Sequence, residues 1–379
     1  MKLRKYLNGF TDVQTALGDI EKEYGICPKQ HKQFPNLYQF TYDQIESAHV
    51  KDHPIVRESR GVILDSADNW NVVSRSFDRF FNYGEVGSFG AAIDPDFDWD
   101  SIRVFEKIDG SLMTAYWYGR QWNVCTKGSP DAGGEVDGNG FTFAELFWKA
   151  FDNCLNYVNP DEIFVRGFNY IFELTSEYNR VVTSQMNNPG TLTLIGLRDY
   201  FGQEIKLGRD YESIFPLVES FPFSTVEEIV AASLNLDPNQ QEGFVIVDKN
   251  FKRLKIKSPK YVMIHHLKDT LNDEKMIGLI KLGETSELFV YFPDLQVRFV
   301  DLLKRYDELM ITLDVCYDEG AATKIFFATQ KDFALYVQQS IAPKFHNFFF
   351  QKRAGRVKDA KEWFANMHDK KLLELLTSN

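Results

Sequence analysis

The hydrophobic pattern of this chain changes period once, near residue 260, and that change limits the folds open to it. Before that point, short runs rich in β-branched and aromatic residues alternate with turns. Residues 61–64, 191–197 and 243–247 are such runs, bounded by Gly, Asp and Asn, and read as strands. Two helical stretches interrupt them, at 141–155 and 226–234, the second preceded by Ser224 and Thr225 as a cap. After residue 260, Leu295, Phe299, Leu302, Leu303, Tyr306 and Leu309 recur at helical spacing, and similar patterns cover 331–349 and 359–376. The expected architecture is an α+β body over residues 1–260 and an all-helical domain over 261–379.

Charge and cysteine content narrow the function. Lys and Arg number 43 against 54 Asp and Glu, a net charge of −11. That argues against nonspecific coating of nucleic acid and leaves room for a local basic cleft. Cys27, Cys125, Cys154 and Cys316 contain no C-x-x-C pair, so neither a zinc site nor a disulfide framework is indicated. No apolar run reaches the roughly 18 residues of a membrane span. Lys2, Arg4 and Lys5 are followed by Asn8, Gly9, Thr11 and Asp12 rather than by a secretory apolar core. A cytoplasmic protein is expected.

Residues 102–119 read as strand, turn, strand, with Lys107-Ile108-Asp109-Gly110-Ser111 at the turn and Asp-Gly as a hairpin signal. A lysine at a strand end beside a rigid turn becomes a nucleophile if its ammonium loses a proton, which neighbouring positive charges favour. Alone, such a turn lysine is better read as a solvated side chain. Two later segments change that balance. Glu242-Gly243-Phe244-Val245-Ile246 is followed by Leu254-Lys255-Ile256-Lys257, where Leu254 and Ile256 face one side and both lysines the other. Two ammonium groups about 7 Å apart on one strand face are unfavourable without an anion between them, and a polyphosphate suits that place. A lysine-guarded edge strand is the alternative.

The order K-x-D-G, Phe172-Glu173-Leu174, E-G-F-V, L-K-I-K resembles the signature of the covalent nucleotidyltransferases: DNA ligases, RNA ligases and mRNA capping enzymes. Further segments narrow the resemblance. Glu58-Ser59-Arg60-Gly61 is similar to an E-x-R-G motif, and Arg79-Phe80-Phe81-Asn82 to K-F-F-N. Lys127-Gly128-Ser129 is similar to K-G-S, and Asn179-Arg180-Val181-Val182 to N-R-I-V. Over about residues 55–260 the chain thus resembles the phage single-strand RNA ligases of the tRNA-repair type, with residues 1–55 as an N-terminal extension.

That resemblance implies an ATP-grasp-like nucleotidyltransferase body of antiparallel sheets with flanking helices. It implies an ATP-dependent RNA ligase that joins 3′-hydroxyl and 5′-phosphate ends through lysyl-AMP and RNA-adenylate. Lys107 would be the nucleophile, with Lys255 and Lys257 holding phosphate and favouring its neutral amine. Glu173 would bind the ribose, and Glu242 a divalent metal, Mg²⁺ or Mn²⁺. Arg60, Arg79 and Lys127 would meet the ATP and RNA phosphates, and Ile195 and Val245 would sandwich adenine. Phe81, Asp109 and Gly110 complete the implied ATP site. Arg79 stands where the family has lysine, and Ile108 where an acidic residue is common. The implied partner is single-stranded RNA or a nicked tRNA bound by a monomer, in host cytoplasm if phage-encoded.

The helical tail argues against the OB-fold expected of a DNA ligase or capping enzyme, and its length and helicity resemble the tRNA-selecting domain of the repair ligases. Between Lys344 and Asn379, eight Lys and Arg face four Asp and Glu, beside Phe345, Phe348, Phe349 and Phe350. A buried phenylalanine cluster with a solvated basic face is the preferred reading, with base stacking the alternative. A DNA ligase or capping nucleotidyltransferase, or a non-catalytic RNA-binding relative, remain rival functions. His265 and His266 read as structural.

Overall fold

The computed structural model describes residues 1–87, 94–136, 140–178, 190–208, 211–266, 272–321 and 329–377. Its contacts divide the chain into two units, Met1–Lys268 and Asp269–Asn379. Among the described residues the first is a mixed α/β body of three sheets, with one parallel strand pair among otherwise antiparallel ones.

The first sheet runs in chain order: β1 (Ile26–Gln30), β2 (Leu37–Tyr42), β3 (Arg60–Asp65) and β4 (Asn71–Ser74). The helices Lys2–Leu7 and Val13–Tyr24 bury Leu3, Leu7, Leu17 and Ile20 in one core with Phe40, Val62 and Leu64 of this sheet. Glu58 fixes the start of the first helix, accepting from the backbone N–H groups of Lys2 and Leu3. A carboxylate there satisfies donors that the helix leaves open.

The second sheet, ordered β10-β9-β7-β8, comprises β7 (Ser111–Tyr118), β8 (Gln121–Thr126), β9 (Asn169–Thr175) and β10 (Thr191–Arg198). The helix Phe143–Leu155 opens with a capping box between Thr142 and Glu145. It places Leu146, Phe147, Ala150 and Phe151 on the sheet's buried face, against Tyr170, Phe172, Leu192 and Leu194. The third sheet, ordered β11-β6-β12-β13-β5, comprises β5 (Phe81–Asn82), β6 (Arg103–Lys107), β11 (Ser220–Phe221), β12 (Gly243–Val247) and β13 (Arg253–Lys257). Ile229 of the helix Val226–Asn235, capped by Thr225, packs with Phe244, Ile246, Leu254 and Ile256.

Every element described in the second unit is a helix. The longest, Pro293–Ala321, buries Phe299, Leu302, Tyr306 and Leu313. Phe348 and Phe349 are buried in this unit, Phe348 against Trp363 and both against Tyr317, so they are core rather than open stacking surfaces. Lys352 is held by Asp314 at 2.5 Å. Among the described residues no helix is long and apolar enough to cross a membrane.

Candidate active site

The K-x-D-G turn does not close a hairpin. β6 ends at Lys107 and pairs with β11 and β12, whereas β7 begins at Ser111 and pairs with β8 and β9. Asp-Gly therefore carries the chain from one sheet to another. The reason is close approach: a Cβ on Gly110 would stand 2.5 Å from the carbonyl oxygen of Leu174 and 3.1 Å from Cγ of Glu173. Glycine lets the turn press against β9 and brings Lys107 beside Glu173.

Register does the rest. Lys107 and Lys257 both pair with Gly243, from opposite sides, so they flank a position without a side chain. One row along the same face stand Phe105, Val245 and Lys255. Leu254 and Ile256 turn the other way, into the core. Glu242, one residue before β12, is buried and bridges the first row. Its Oε2 accepts from Lys107 Nζ at 2.6 Å and its Oε1 lies 3.0 Å from Lys257 Nζ. Burial alone would raise the Glu242 carboxyl above its usual range, but Lys107 and Lys257 together outweigh that and hold it below. Glu173, on β9, is pushed up to about 7. Enclosure by protein is the main cause, Glu242 and Asp109 add to it, and Lys107 and Arg60 oppose it.

A second cluster of cations stands nearby. The Arg79 guanidinium lies over Tyr42 at 4.1 Å and over Phe81 at 5.2 Å, and Lys127 Nζ lies 4.4 Å from the Tyr42 ring centre. Burial of the Tyr42 hydroxyl would raise its pKa. Lys127, Arg79, Arg60 and Lys255 overcome this and pull it down to about 8. Tyr42 is absent from the motif reading, because no local spacing marks a strand-end tyrosine whose partners lie on other elements. Lys127 is fixed through its backbone: Thr41 Oγ1 donates to its carbonyl at 2.7 Å. Gly61, at φ +81°, comes so close that a Cβ would stand 2.9 Å from the Lys127 Cα.

Arginine at position 79 is intelligible here. Its planar guanidinium lies against two rings, a contact that a lysine ammonium reproduces less well. Phe81 is 2% exposed, with Lys51, Arg57 and Arg79 around its ring. It supports the cations and offers no open face. Arg60 Nη1 is shielded from solvent without a hydrogen-bond partner among the described residues, and its guanidinium lies 5.3 Å from the Phe80 ring. A buried donor left unmet carries a free-energy cost that an anionic ligand would relieve.

The two L-K-I-K lysines thus part company: Lys257 joins Lys107 on Glu242, and Lys255 adds its charge to the field around Tyr42. Asp109 accepts from the Tyr261 hydroxyl at 2.8 Å. Val245 is half-buried on the lysine-bearing face. Ile195 occupies an irregularity of β10 between Leu194 and Gly196, also half-buried. Residues 179–182, the N-R-V-V segment, and the side chains of His265 and His266 lie outside the described residues. Among the described residues no three His, Cys, Asp or Glu side chains group as a metal site. A hard cation held by one carboxylate, water and substrate phosphate needs no such group.

A model of an RNA ligase family matches residues 58–261, more than half of the chain and the stretch that carries these residues. The chain belongs to this RNA ligase family. It is 35% identical over 264 residues to a protein of Autographa californica nuclear polyhedrosis virus named as a bifunctional polynucleotide kinase/RNA ligase. That match covers 65% of this chain and 36% of the viral protein, so the chain spans about a third of that relative's length. It is 25% identical over 378 residues to an RNA ligase of Rhodothermus phage RM378, covering 83% of this ligase-family chain and 82% of the phage protein. A solved Naegleria gruberi RNA ligase mutant with ATP and Mn is similar at 18% identity and a TM-score of 0.35, over 45% of this chain and 52% of that one.

Proposed function

We propose that the chain is an ATP-dependent RNA ligase that seals a 3′-hydroxyl to a 5′-phosphate, with Lys107 as the nucleophile. The observation that carries the reading is that Lys107 and Lys257 each reach an oxygen of Glu242 at hydrogen-bond range, beside Glu173. In the first step Lys107 Nζ attacks the α-phosphorus of ATP. A P–N bond forms, the bond to the β-phosphate oxygen breaks, and pyrophosphate leaves with the electron pair while the protons shed by nitrogen pass to water. In the second step a 5′-phosphate oxygen of RNA attacks the same phosphorus and Lys107 leaves. In the third, a 3′-hydroxyl attacks the RNA 5′-phosphate and AMP leaves.

Positioning and charge neutralisation do most of the work in such displacements. Lys257 and Lys255 line the face on which Lys107 stands, and Arg60, Arg79 and Lys127 supply further positive charge for polyphosphate and RNA phosphate. Glu173, as an acceptor, suits the ribose hydroxyls. A divalent cation, Mg²⁺ or Mn²⁺, would take Glu242 with water and phosphate oxygens and would neutralise phosphate charge. Both oxygens of Glu242 hold lysines in this structure, so that role requires the carboxylate to exchange partners. The helical second unit is the part available to select a tRNA.

The test is incubation with α-labelled ATP or GTP and a divalent cation, followed by denaturing electrophoresis. Label from ATP that survives denaturation and vanishes in Lys107→Ala supports the reading. Label from GTP alone points to capping chemistry, and no label removes the enzymatic reading. Single-stranded 5′-phosphorylated RNA against nicked duplex then identifies the polynucleotide.

A further inference from the structure

One buried side chain beside the cations carries an atom that the protein leaves unmet. Asn82, at the end of β5, is 3% exposed, and its Oδ1 is shielded from solvent without a hydrogen-bond partner among the described residues. Its carboxamide is fixed in orientation. Glu85 Oε2 accepts from the Asn82 backbone N–H and from Nδ2, each at 3.2 Å, and the Glu85 N–H donates to the Asn82 carbonyl at 3.0 Å. Turning the amide over would set its oxygen against that carboxylate, so Oδ1 is the atom directed away from Glu85. Glu85 is held in turn by Lys51, whose Nζ lies 2.9 Å from its Oε1. Asn82 pairs with Lys255 in parallel register, and the Tyr83 N–H donates to the Lys255 carbonyl at 2.9 Å. Asn82 therefore stands fourth in the row of Phe105, Val245 and Lys255, three strands across the sheet from the strand of Lys107.

A buried oxygen that only accepts is relieved by a donor, and a phosphate brings none. In-line displacement says which reactant passes this place. Pyrophosphate leaves opposite Lys107 in the first step, and the RNA 5′-phosphate attacks opposite Lys107 in the second. The strand end thus takes the place of the departed pyrophosphate, among the cations Lys255, Arg79 and Arg60. Its phosphates meet those cations. The donors that an RNA end carries at every nucleotide, whatever the base, are its ribose 2′-hydroxyls. We infer that Asn82 is a specificity-determining residue of the ligase, its Oδ1 accepting a hydrogen bond from a ribose 2′-hydroxyl at the junction being sealed. This rests on the ligase reading above. The hydroxyl belongs to the nucleotide bearing the 5′-phosphate or to the one bearing the attacking 3′-hydroxyl. A deoxyribose in that place brings no donor and leaves the oxygen unmet inside the complex, so a DNA end is sealed more slowly.

The experiment measures sealing by the full chain with ATP, a divalent cation and 5′-phosphorylated single-stranded RNA. Three substrates are compared: all-ribose ends, a single 2′-deoxynucleotide at the 5′-phosphate, and a single 2′-deoxynucleotide at the 3′-hydroxyl. The wild type is expected to seal the all-ribose ends about tenfold faster than one of the deoxy substrates, and which one identifies the nucleotide that Asn82 meets. In Asn82→Ala that preference is expected to fall to within about twofold. Asn82→Leu, close to asparagine in size, is the second variant should alanine leave a cavity that unfolds the chain, and the same collapse is expected of it. Lost packing or lost folded protein slows all three substrates alike and leaves their ratios unchanged. If the wild type seals the three at one rate, or the variants keep its preference, the inference is overturned and the ligase reading stands. If the wild-type chain forms no Lys107–AMP adduct with ATP, the ligase reading fails and this inference falls with it.

Discussion

Nζ of Lys107 and Nζ of Lys257 are bound to opposite oxygens of one carboxylate, that of Glu242, at 2.6 and 3.0 Å. The pair is enclosed: Glu242 is 3% and Lys257 8% exposed. Taking the shared carboxylate away removes the charge that both ammonium groups meet, whereas taking away Lys107 leaves the Lys257 contact in place. Glu242→Gln is therefore expected to lose about 3 kcal/mol of unfolding free energy. Lys107→Ala should lose nearer 1 kcal/mol. Urea unfolding of the three proteins at neutral pH measures the difference.

The field around Tyr42 gives a spectroscopic prediction. Its hydroxyl is brought from an ordinary 10.0 to about 8, against burial, by Lys127, Arg79, Arg60 and Lys255. Of the 17 tyrosines in the chain, Tyr42 should ionise early. Ultraviolet titration is expected to show a tyrosinate step near pH 8 that Tyr42→Phe abolishes and Lys127→Met moves to higher pH. The sign for stability follows. The folded state releases this proton before the unfolded state does, so stability gains as pH rises from about 8 toward 10. The contribution is present above the unfolded value and lost on falling through 8. A wild type that gains nothing over Tyr42→Phe in that window would refute the assignment.

How much of this was legible in the chain itself can be argued from single residues. The alternation in Leu254-Lys255-Ile256-Lys257 is a local property, and the strand sends Leu254 and Ile256 into the core as it requires. That the two lysines then serve different groups is decided by neighbours: Gly243 and Glu242 for one, the end of β2 for the other. Asp109-Gly110 reads as a hairpin because dipeptide preference reports backbone conformation and nothing of where the next strand pairs. The crowding by Leu174 and Glu173 that requires the glycine belongs to a strand far along the sequence. Tyr42 was invisible for the same reason: Arg79 and Lys127 reach its ring from elements that only the fold brings together.

Glu173 offers the opposite pH dependence. Its carboxyl is pushed from 4.5 to about 7, chiefly by burial. Between those values the folded state keeps a proton that the unfolded state has released, so the contribution of this group to stability falls as pH rises. It is fully present below about 4.5 and lost on passing through 7. Glu173→Gln removes that dependence. The melting temperature of the variant relative to wild type is expected to climb from pH 4.5 to above 7. A constant difference across the range would show that Glu173 titrates as an ordinary surface carboxyl.

The sharpest geometric prediction concerns Gly110. An added methyl group would stand 2.5 Å from the Leu174 carbonyl oxygen, a backbone atom of a central strand that cannot step aside as a flexible side chain does. Gly110→Ala must therefore move the turn itself. A cost of about 1–3 kcal/mol is expected from the forced contact. The displacement carries Lys107 away from Glu242 and Asp109 away from Tyr261, so adduct formation should fall far more than stability does. Gly18 supplies the control. It is exposed in the middle of the helix Val13–Tyr24, and a Cβ there meets nothing within 4 Å. Gly18→Ala is expected to stabilise the protein by about 0.5–1 kcal/mol through helix propensity alone, with adduct formation unchanged. Thermal melts and single-turnover labelling of both variants decide the matter. A Gly110→Ala protein that labels at the wild-type rate would mean that the turn relaxes without moving its lysine, and that close packing against β9 does not set the nucleophile's position.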